Sequence, residues 1–131
     1  MNTPCPCQSG ARYEVCCLPY HQSKNAPSAV ALMRSRYSAF VLGLVDYLVE
    51  TTHPAHRTPS LKEEIISTCK AIKWTKLEIV ELWQGGVNDK TGKVLFRAFF
   101  IQNNLSNVHE EKSRFKRFGK AWVYVDGNIK N

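Results

Sequence analysis

The stretch "KVLFRAFFIQ", Lys93 to Gln102, is apolar on both faces of a strand apart from Arg97. A strand that is covered on both sides has a near-continuous apolar run, so this stretch predicts a central strand of a sheet. Because successive side chains of a strand point to opposite faces, Val94, Phe96 and Ala98 share one face and Arg97 lies on the other.

The preceding segment predicts a neighbouring strand. "IKWTKLEIVELWQ", residues 72–84, is rich in β-forming residues and alternates imperfectly. The alternation slips between Ile79 and Val80, which suits a β-bulge. The turn-forming cluster "GGVNDKTG", residues 85–92, then separates this strand from the central one.

Two further strands are predicted after the central one. "VHEEKSRFKRF", residues 108–118, is mostly polar, whereas "KAWVYV", residues 120–125, alternates aromatic and β-branched residues. The last strand is expected to close at the Asp126-Gly127 turn signal. About four long strands joined by short turns predict an antiparallel meander.

The segment before the strands predicts helices. Ser28 follows Pro27 in the position of a helix N-cap, and Gly43 is placed to end or bend the helix. Between them, apolar residues at spacings of three and four form one stripe; these are Val30, Met33, Tyr37, Phe40, Val41 and Leu44. A short second helix is expected over residues 45–50.

A third helix is predicted from the capping-box pattern "SLKE", Ser60 to Glu63, to about Lys70. Helices followed by a meander make an α+β fold with the helices on one face of the sheet. The long strands and the slip near Ile79 favour strong curvature. The predicted fold is therefore an N-terminal knuckle followed by helices packed on a curved antiparallel sheet.

The length, composition and net charge of the chain narrow its possible functions. The chain has 131 residues, 44% hydrophobic, with a formal net charge of +7. No window reaches the roughly 18 apolar residues of a membrane span, and "MNTPCPC" has no secretory signal character. A cytoplasmic location is therefore expected, where clustered cysteines bind metal or do redox chemistry more often than they form disulfides.

Four of the five cysteines fall within "CPCQSGARYEVCC". Cys5 and Cys7 flank a proline, and Cys16 and Cys17 return after a turn that Gly10 favours. Four soft ligands in a short segment predict a tetrahedral zinc site. Adjacent cysteines share a metal only where the backbone turns, so His21 is a substitute for Cys17 as the fourth ligand. A redox dithiol and two disulfides remain as alternatives.

The same residues resemble the SEC-C motif, a zinc knuckle of the form C-x-C-x-S-G-x-x-Y-x-x-C-C/H that occurs at the C-terminus of the translocation ATPase SecA. The resemblance implies Cys5, Cys7, Cys16 and Cys17 as ligands, with Tyr13 packed over the site. Two positions depart from the motif, because Gln8 and Leu18 stand where glycine is usual or frequent.

Three further segments, "APSAVALMRSRYSAFVLG", "THP" and "HEEKSRFKRFGKAWVYVDG", resemble the YchJ-like family of bacterial SEC-C proteins. The resemblance implies the cone-shaped, cystatin-like fold of nuclear transport factor two after the knuckle, in agreement with the order of elements above. It implies two parts, a zinc knuckle at residues 1–22 and a cone-like α+β domain at residues 26–131. The family has no established activity.

Cone-shaped domains of this class often hold a small ligand between the helices and the sheet. The candidate pocket residues are Tyr37, His53, Arg97, His109 and Glu111, and a wider set adds Arg34, Arg36 and Arg114. His109 and Glu111 are two apart and share a strand face. The side chain of Arg97 has three open placements, namely as an anchor for an anionic ligand, in a buried pair with Glu78 or Glu111, or on the outer face.

No nucleophile elbow, phosphate loop or dinucleotide fingerprint is present, and four clustered cysteines describe a closed structural site rather than a catalytic one. No catalytic residue is therefore predicted. The leading hypothesis is a zinc-binding protein whose knuckle presents a basic surface around Tyr13 to an acidic protein partner. The alternatives are a small-molecule binding protein or enzyme that uses the cone pocket, and nucleic-acid binding through the basic surface.

Overall fold

The computed structural model describes residues 3–130, without the side chain of residue 130; residues 1, 2 and 131, at the outer ends of the two predicted parts, lie outside the described residues. Short 3-10 turns occur at Tyr13–Val15 and Pro54–His56. The helices are α1 (Leu18–Ser23), α2 (Ala29–Leu42), α3 (Val45–Glu50) and α4 (Leu61–Ala71), and the strands are β1 (Lys73–Gln84), β2 (Thr91–Gln102), β3 (Leu105–Phe118) and β4 (Ala121–Lys130).

The four strands form one antiparallel sheet in the order β1-β2-β3-β4. β2 is a central strand, as its apolar pattern predicts, and Val94, Phe96 and Ala98 are buried beneath the helices. The pairing of β1 with β2 shifts register between Ile79 and Glu81, so the predicted bulge is confirmed. Such irregularities increase the local twist of a sheet and help it to curve.

Helix α2 occupies the middle of the protein. Its predicted N-cap is confirmed, because Ser28 Oγ accepts a hydrogen bond from the Ala31 amide at 3.1 Å, and Gly43 ends it with a φ of 73°. On one side α2 packs against a core that includes Phe115 and Trp122 of the sheet. On the other side it packs against α3 and α4. Fixing α2 therefore fixes both layers of the fold.

Two sequence predictions about element ends are wrong. Ser60 makes no capping hydrogen bond to the α4 backbone; its hydroxyl donates to the Glu64 carboxylate at 2.9 Å instead. Asp126 and Gly127 do not form a turn, because β4 continues through them to Lys130. Asp126 is held in the strand by a two-point ion pair with Arg114.

Among residues 3–130, no helix has the length and apolar character needed to cross a membrane.

The loop between β1 and β2 closes against the start of α2. The Ala29 amide donates to the Gly85 carbonyl at 2.9 Å. Gly85 and Gly92 face each other so closely that a Cβ added at Gly92 would collide with the Gly85 Cα. A backbone atom cannot move aside as the end of a side chain can, so glycine is required at this junction.

We expect the substitution Gly92→Ala to lower the free energy of unfolding by about 2–3 kcal/mol, since the new methyl group overpacks the junction. Gly86→Ala is the matched control in the same loop, because a Cβ there would meet only the Asp89 carboxylate at 3.4 Å. The control should change stability by less than about 1 kcal/mol. Chemical denaturation of both variants tests this, and equal stabilities would contradict the packing described for the junction.

Candidate functional site

The four knuckle cysteines converge on one point. The sulfurs of Cys5, Cys7, Cys16 and Cys17 all lie within 4.8 Å of one another. Three of these residues are buried and Cys16 is partly exposed. Since four thiolates are the donor set of structural tetrahedral sites, the cluster could hold one metal ion.

The knuckle backbone explains why these residues converge. Pro4 and Arg12 form an antiparallel bridge, and the Cys5 amide donates to the Ala11 carbonyl at 2.9 Å. The turn between them has Gly10 at a φ of 94°, a left-handed conformation that glycine adopts without strain. The reversed chain thereby returns Cys16 and Cys17 to the first pair.

Gln8 departs from the glycine of the motif and has a left-handed φ of 62°. Its side chain makes contacts that glycine lacks: Nε2 donates to the Thr75 carbonyl at 2.8 Å, and Oε1 accepts from the Leu77 amide at 3.4 Å. These contacts tie the knuckle to strand β1. They offset the conformational cost of a non-glycine residue in this region.

Helix α2 supplies polar groups to the cluster. The hydroxyl of Ser38, which is fully buried, lies 3.5 Å from the Cys5 sulfur and 3.3 Å from the Cys17 sulfur. Arg34 Nη1 donates to the Cys7 carbonyl at 2.9 Å. A donor and a cation beside clustered sulfurs favour their thiolate forms.

The thiols also act on one another. Hydrogen bonds from neighbouring side chains, that of Cys17 foremost, lower the pKa of Cys7 well below its usual range despite burial. The hydrogen bond with Cys7 and burial raise the pKa of the Cys17 thiol, and burial raises the pKa of Cys16. Negative charge is therefore concentrated on Cys7, and a metal ion must displace protons from Cys16 and Cys17.

His21 lies outside the cysteine cluster. Its Nδ1 is 2.7 Å from the Tyr13 hydroxyl and its Nε2 is 2.8 Å from the Ser35 carbonyl. Both ring nitrogens thus have other partners, and the geometry favours Cys17 over His21 as the fourth ligand. Tyr13 and His21 instead form a second attachment of the knuckle to α2.

The knuckle and the cone share one core. Cys5, Cys7 and Cys17 belong to the same buried cluster as Leu32 and Phe115. The boundaries at residues 1–22 and 26–131 stay a prediction, but these contacts favour a knuckle that is docked rather than suspended on a linker.

A cavity of about 450 Å³ lies between the helices and the inner face of the sheet. Its walls are mostly apolar, from Met33, Phe40, Leu61, Ile65, Ile72, Trp74, Phe96, Ala98 and Val125. Its polar side chains come from α2, the segment after α3, α4 and the two last strands; these are Arg36, Tyr37, Thr52, His56, Thr68, His109, Glu111, Ser113 and Tyr124. Apolar walls with a few converging polar groups are typical of small-molecule sites.

Glu111 is the buried anion of this cavity. His109 Nε2 lies 2.8 Å from its Oε1, and the hydroxyls of Ser113 and Tyr124 donate to its Oε2. Burial alone would raise the pKa of Glu111, but these three hydrogen bonds together lower it. Because an ionised carboxylate only accepts, His109 Nε2 is the donor in this contact.

Arg36 is the buried cation of the cavity, at 8% exposed. Its Nη1 donates to the Leu48 carbonyl at 3.0 Å and to the Thr51 hydroxyl at 2.7 Å, and its guanidinium carbon lies 4.7 Å from the centre of the Tyr124 ring. Burial lowers the pKa of Arg36 to about 10, so the side chain is still charged at neutral pH.

Of the predicted pocket residues, Tyr37, His109 and Glu111 line the cavity, and Arg97 and His53 do not. Arg97 lies on the outer face of β2, where its Nε donates to Glu110 at 2.6 Å. Of the partners suggested by the sequence, Glu78 does lie opposite Arg97 on β1, but it forms its ion pair with Lys76. Glu111 faces the cavity instead. The direct ion pair of Arg97 is with Glu110, which lies opposite it on β3. The His53 ring accepts from the Ala55 amide at the turn after α3.

Arg36 was among the wider candidates from the sequence and does line the cavity, whereas sequence reasoning did not assign Ser113 and Tyr124 to the pocket. Arg36 follows Met33 of the apolar stripe by three residues, and side chains three apart on a helix share a face. This spacing indicated that Arg36 could face the same side of α2 as Met33. Ser113 follows Glu111 by two residues on the same strand face. Tyr124 had no such signal, because its contact with Glu111 depends on the pairing of β3 with β4.

The basic residues do not gather into a single patch. Arg34 and Arg36 turn toward the knuckle and the cavity, and Arg114 pairs with Asp126. Lys112 lies over the Trp83 ring at 4.2 Å. Lys90, Lys116, Arg117 and Lys120 do lie together around one surface pocket, so nucleic-acid binding through a basic surface stays a prediction.

Known sequences have the same two parts. Residues 1–19 match the SEC-C motif, which is a metal-binding motif, and residues 28–127 match the family described as "YchJ, middle NTF2-like domain". A UPF0225 protein of Streptomyces coelicolor is 43% identical over 127 residues, covering 96% of this chain and 95% of the relative. The UPF0225 protein YchJ of Shigella dysenteriae is 40% identical over 129 residues, covering 97% and 84%.

Solved structures agree with this assignment. The solution structure of a SEC-C motif containing protein from Rhodopseudomonas palustris superposes with a TM-score of 0.85 at 30% identity, over 100% of both chains. The crystal structure of a SEC-C motif containing protein from Psychrobacter arcticus gives 0.78 at 29% identity, over 97% of this chain and 82% of the other. The chain therefore belongs to the YchJ family of SEC-C motif proteins, the UPF0225 proteins, and has their NTF2-like fold.

Proposed function

We propose that this protein binds zinc through Cys5, Cys7, Cys16 and Cys17 and uses the zinc knuckle to hold α2 in place over a small-molecule cavity. The observation that carries the proposal is the position of residues 34–38 of α2. Arg34, Ser35 and Ser38 contact the knuckle, while Arg36 and Tyr37 face the cavity.

Zinc is the metal that best suits the donor set. Four thiolates are soft ligands that favour zinc over magnesium, calcium or manganese. In a tetrahedral site with a typical zinc–sulfur distance of about 2.3 Å, the sulfurs are about 3.8 Å apart, which fits sulfurs that lie within 4.8 Å. With four protein ligands no position is left open for substrate, so the role of the metal is structural.

The cavity is the second half of the proposal. Its volume of about 450 Å³ lies within the range of roughly 300–1,000 Å³ that is common for small-molecule sites. Natural cores are packed with few voids larger than a water molecule. An unfilled space of this size, with an ionised Glu111 and a cationic Arg36 in its wall, supports ligand binding more than core packing.

A protein partner is the second candidate function, and one observation favours it. Val15, which precedes Cys16 in the knuckle, is 62% exposed. An apolar contact there, together with the net charge of +7, suits an acidic partner in the cytoplasm. Tyr13 was expected at the centre of this surface, but its hydroxyl is hydrogen-bonded to His21.

We expect purified protein to contain one zinc ion per chain, measured by elemental analysis after purification without chelator. The variant Cys16→Ser should lose most of the zinc, because a hydroxyl is a poor replacement for a thiolate ligand. Affinity should fall as the pH is lowered, since thiols must lose protons to bind. Cys69→Ser is the control, because Cys69 lies on α4 outside the cluster. Zinc content near zero in the unmodified protein would contradict the metal assignment.

We expect a small neutral aromatic probe, benzyl alcohol, to shift the NMR signal of the Trp74 indole, because Trp74 lines the cavity. The substitution Ala98→Phe should abolish the shift, since the new ring fills the space where the probe lies. Ala71→Phe, at an exposed alanine of α4, is the control and should keep the shift. A probe-induced shift that survives Ala98→Phe in a folded protein would place binding elsewhere.

A further inference from the structure

The polar groups of the cavity differ in how many hydrogen bonds the protein already makes to them. The two oxygens of Glu111 already accept three hydrogen bonds from the protein. A carboxylate has about four acceptor positions, so little of this anion is left to bind a cationic ligand. Its charge is in effect used to hold His109 and Tyr124.

Arg36 is in the opposite situation. Its described hydrogen bonds all come from Nη1, and among the described residues no carboxylate forms an ion pair with it. Nε and Nη2 have no hydrogen-bond partner among the described residues, and neither atom is fully buried. Since Arg36 lines the cavity, these unused donors are open to it.

Tyr37, the next residue of α2, also lines the cavity and adds a further donor to its wall. The residue is 3% exposed, and its hydroxyl has no hydrogen bond to any described residue. The hydroxyl oxygen of Tyr37 is likewise not fully buried. Burial raises the pKa of Tyr37 to about 12, so it keeps its proton and can donate to a ligand.

We propose that the cavity binds a small, largely apolar carboxylate, whose oxygens accept hydrogen bonds from the free donors of Arg36 and the hydroxyl of Tyr37 and whose apolar part lies against Trp74, Phe40 and Phe96. This proposal rests on the proposed binding function of the cavity and names its ligand class. A buried cation is costly where no carboxylate pairs with it directly. Glu111 attracts Arg36 only across the cavity, and a bound carboxylate adds a direct partner in the two-point geometry that guanidinium favours.

The test compares two probes of the same shape in the zinc-loaded full chain. 2-Naphthoate and 2-naphthamide differ mainly in charge, and isothermal titration calorimetry at neutral pH gives both affinities. We expect the anion to bind at least about tenfold more tightly, because hydrogen bonds to a charged group are the stronger class. Equal affinities would overturn the anion proposal and leave the cavity as a binding site. Failure of both probes at about 1 mM would overturn both the ligand class and the binding function.

Three variants locate the effect. Arg36→Met should reduce the affinity for 2-naphthoate to that of 2-naphthamide. Tyr37→Phe should reduce the affinity for 2-naphthoate by about threefold or more. The thermal unfolding midpoint of Tyr37→Phe should stay close to that of the unmodified protein. Arg97→Met is the charge-matched control, because Arg97 is exposed on the outer face. If Arg36→Met does not fold, Tyr37→Phe and the ratio of the two probes decide the question. A loss of naphthoate affinity in Arg97→Met as large as in Arg36→Met would overturn the assignment to the cavity.

Discussion

The contact between the cysteine knuckle and residues 34–38 of α2 is the interaction on which the rest of the structure depends. A six-residue α1 and a turn-rich N-terminal segment cannot bury enough surface to order themselves. Their order comes from the convergent sulfurs and from Ser38, which lies against two of them. The same segment of α2 carries Arg36 and Tyr37 to the cavity, so the cysteine cluster and the cavity lie on opposite sides of one helix.

This arrangement explains how an otherwise costly side chain is tolerated. A buried arginine without a counter-ion reduces stability unless its remaining groups are well placed. Here the end of α3 offers carbonyl and hydroxyl oxygens to one nitrogen of Arg36, and the Tyr124 ring lies beside the guanidinium. The opposite wall keeps Glu111 ionised through hydrogen bonds from its own strand and from β4. The fold thus holds a cation and an anion in one apolar space without pairing them.

Much of the fold was predictable from local sequence patterns, because the period of apolar residues and the turn signals depend on near neighbours. The central strand from Lys93, the N-cap at Ser28, the end at Gly43 and the slip near Ile79 are confirmed. Predictions that depended on tertiary partners were less secure. Arg97 was expected to meet Glu78 or Glu111; Glu78 does lie opposite it on β1, but the ion pair forms with Glu110 on β3. The Asp126-Gly127 signal was overridden by pairing with β3, and a side chain at Gly127 would collide with Glu111. The docking of the knuckle on α2 has no local signature at all.

The most direct test of the account is hydrogen–deuterium exchange of the α2 amides in zinc-loaded and chelator-treated protein. If the metal centre holds α2 over the cavity, removal of zinc should speed exchange of residues 34–40 by at least about tenfold, since local opening then costs less free energy. Exchange in the central strand β2 should change less. Unchanged protection of α2 after complete loss of zinc would contradict the central claim and show that the cone is ordered without its knuckle.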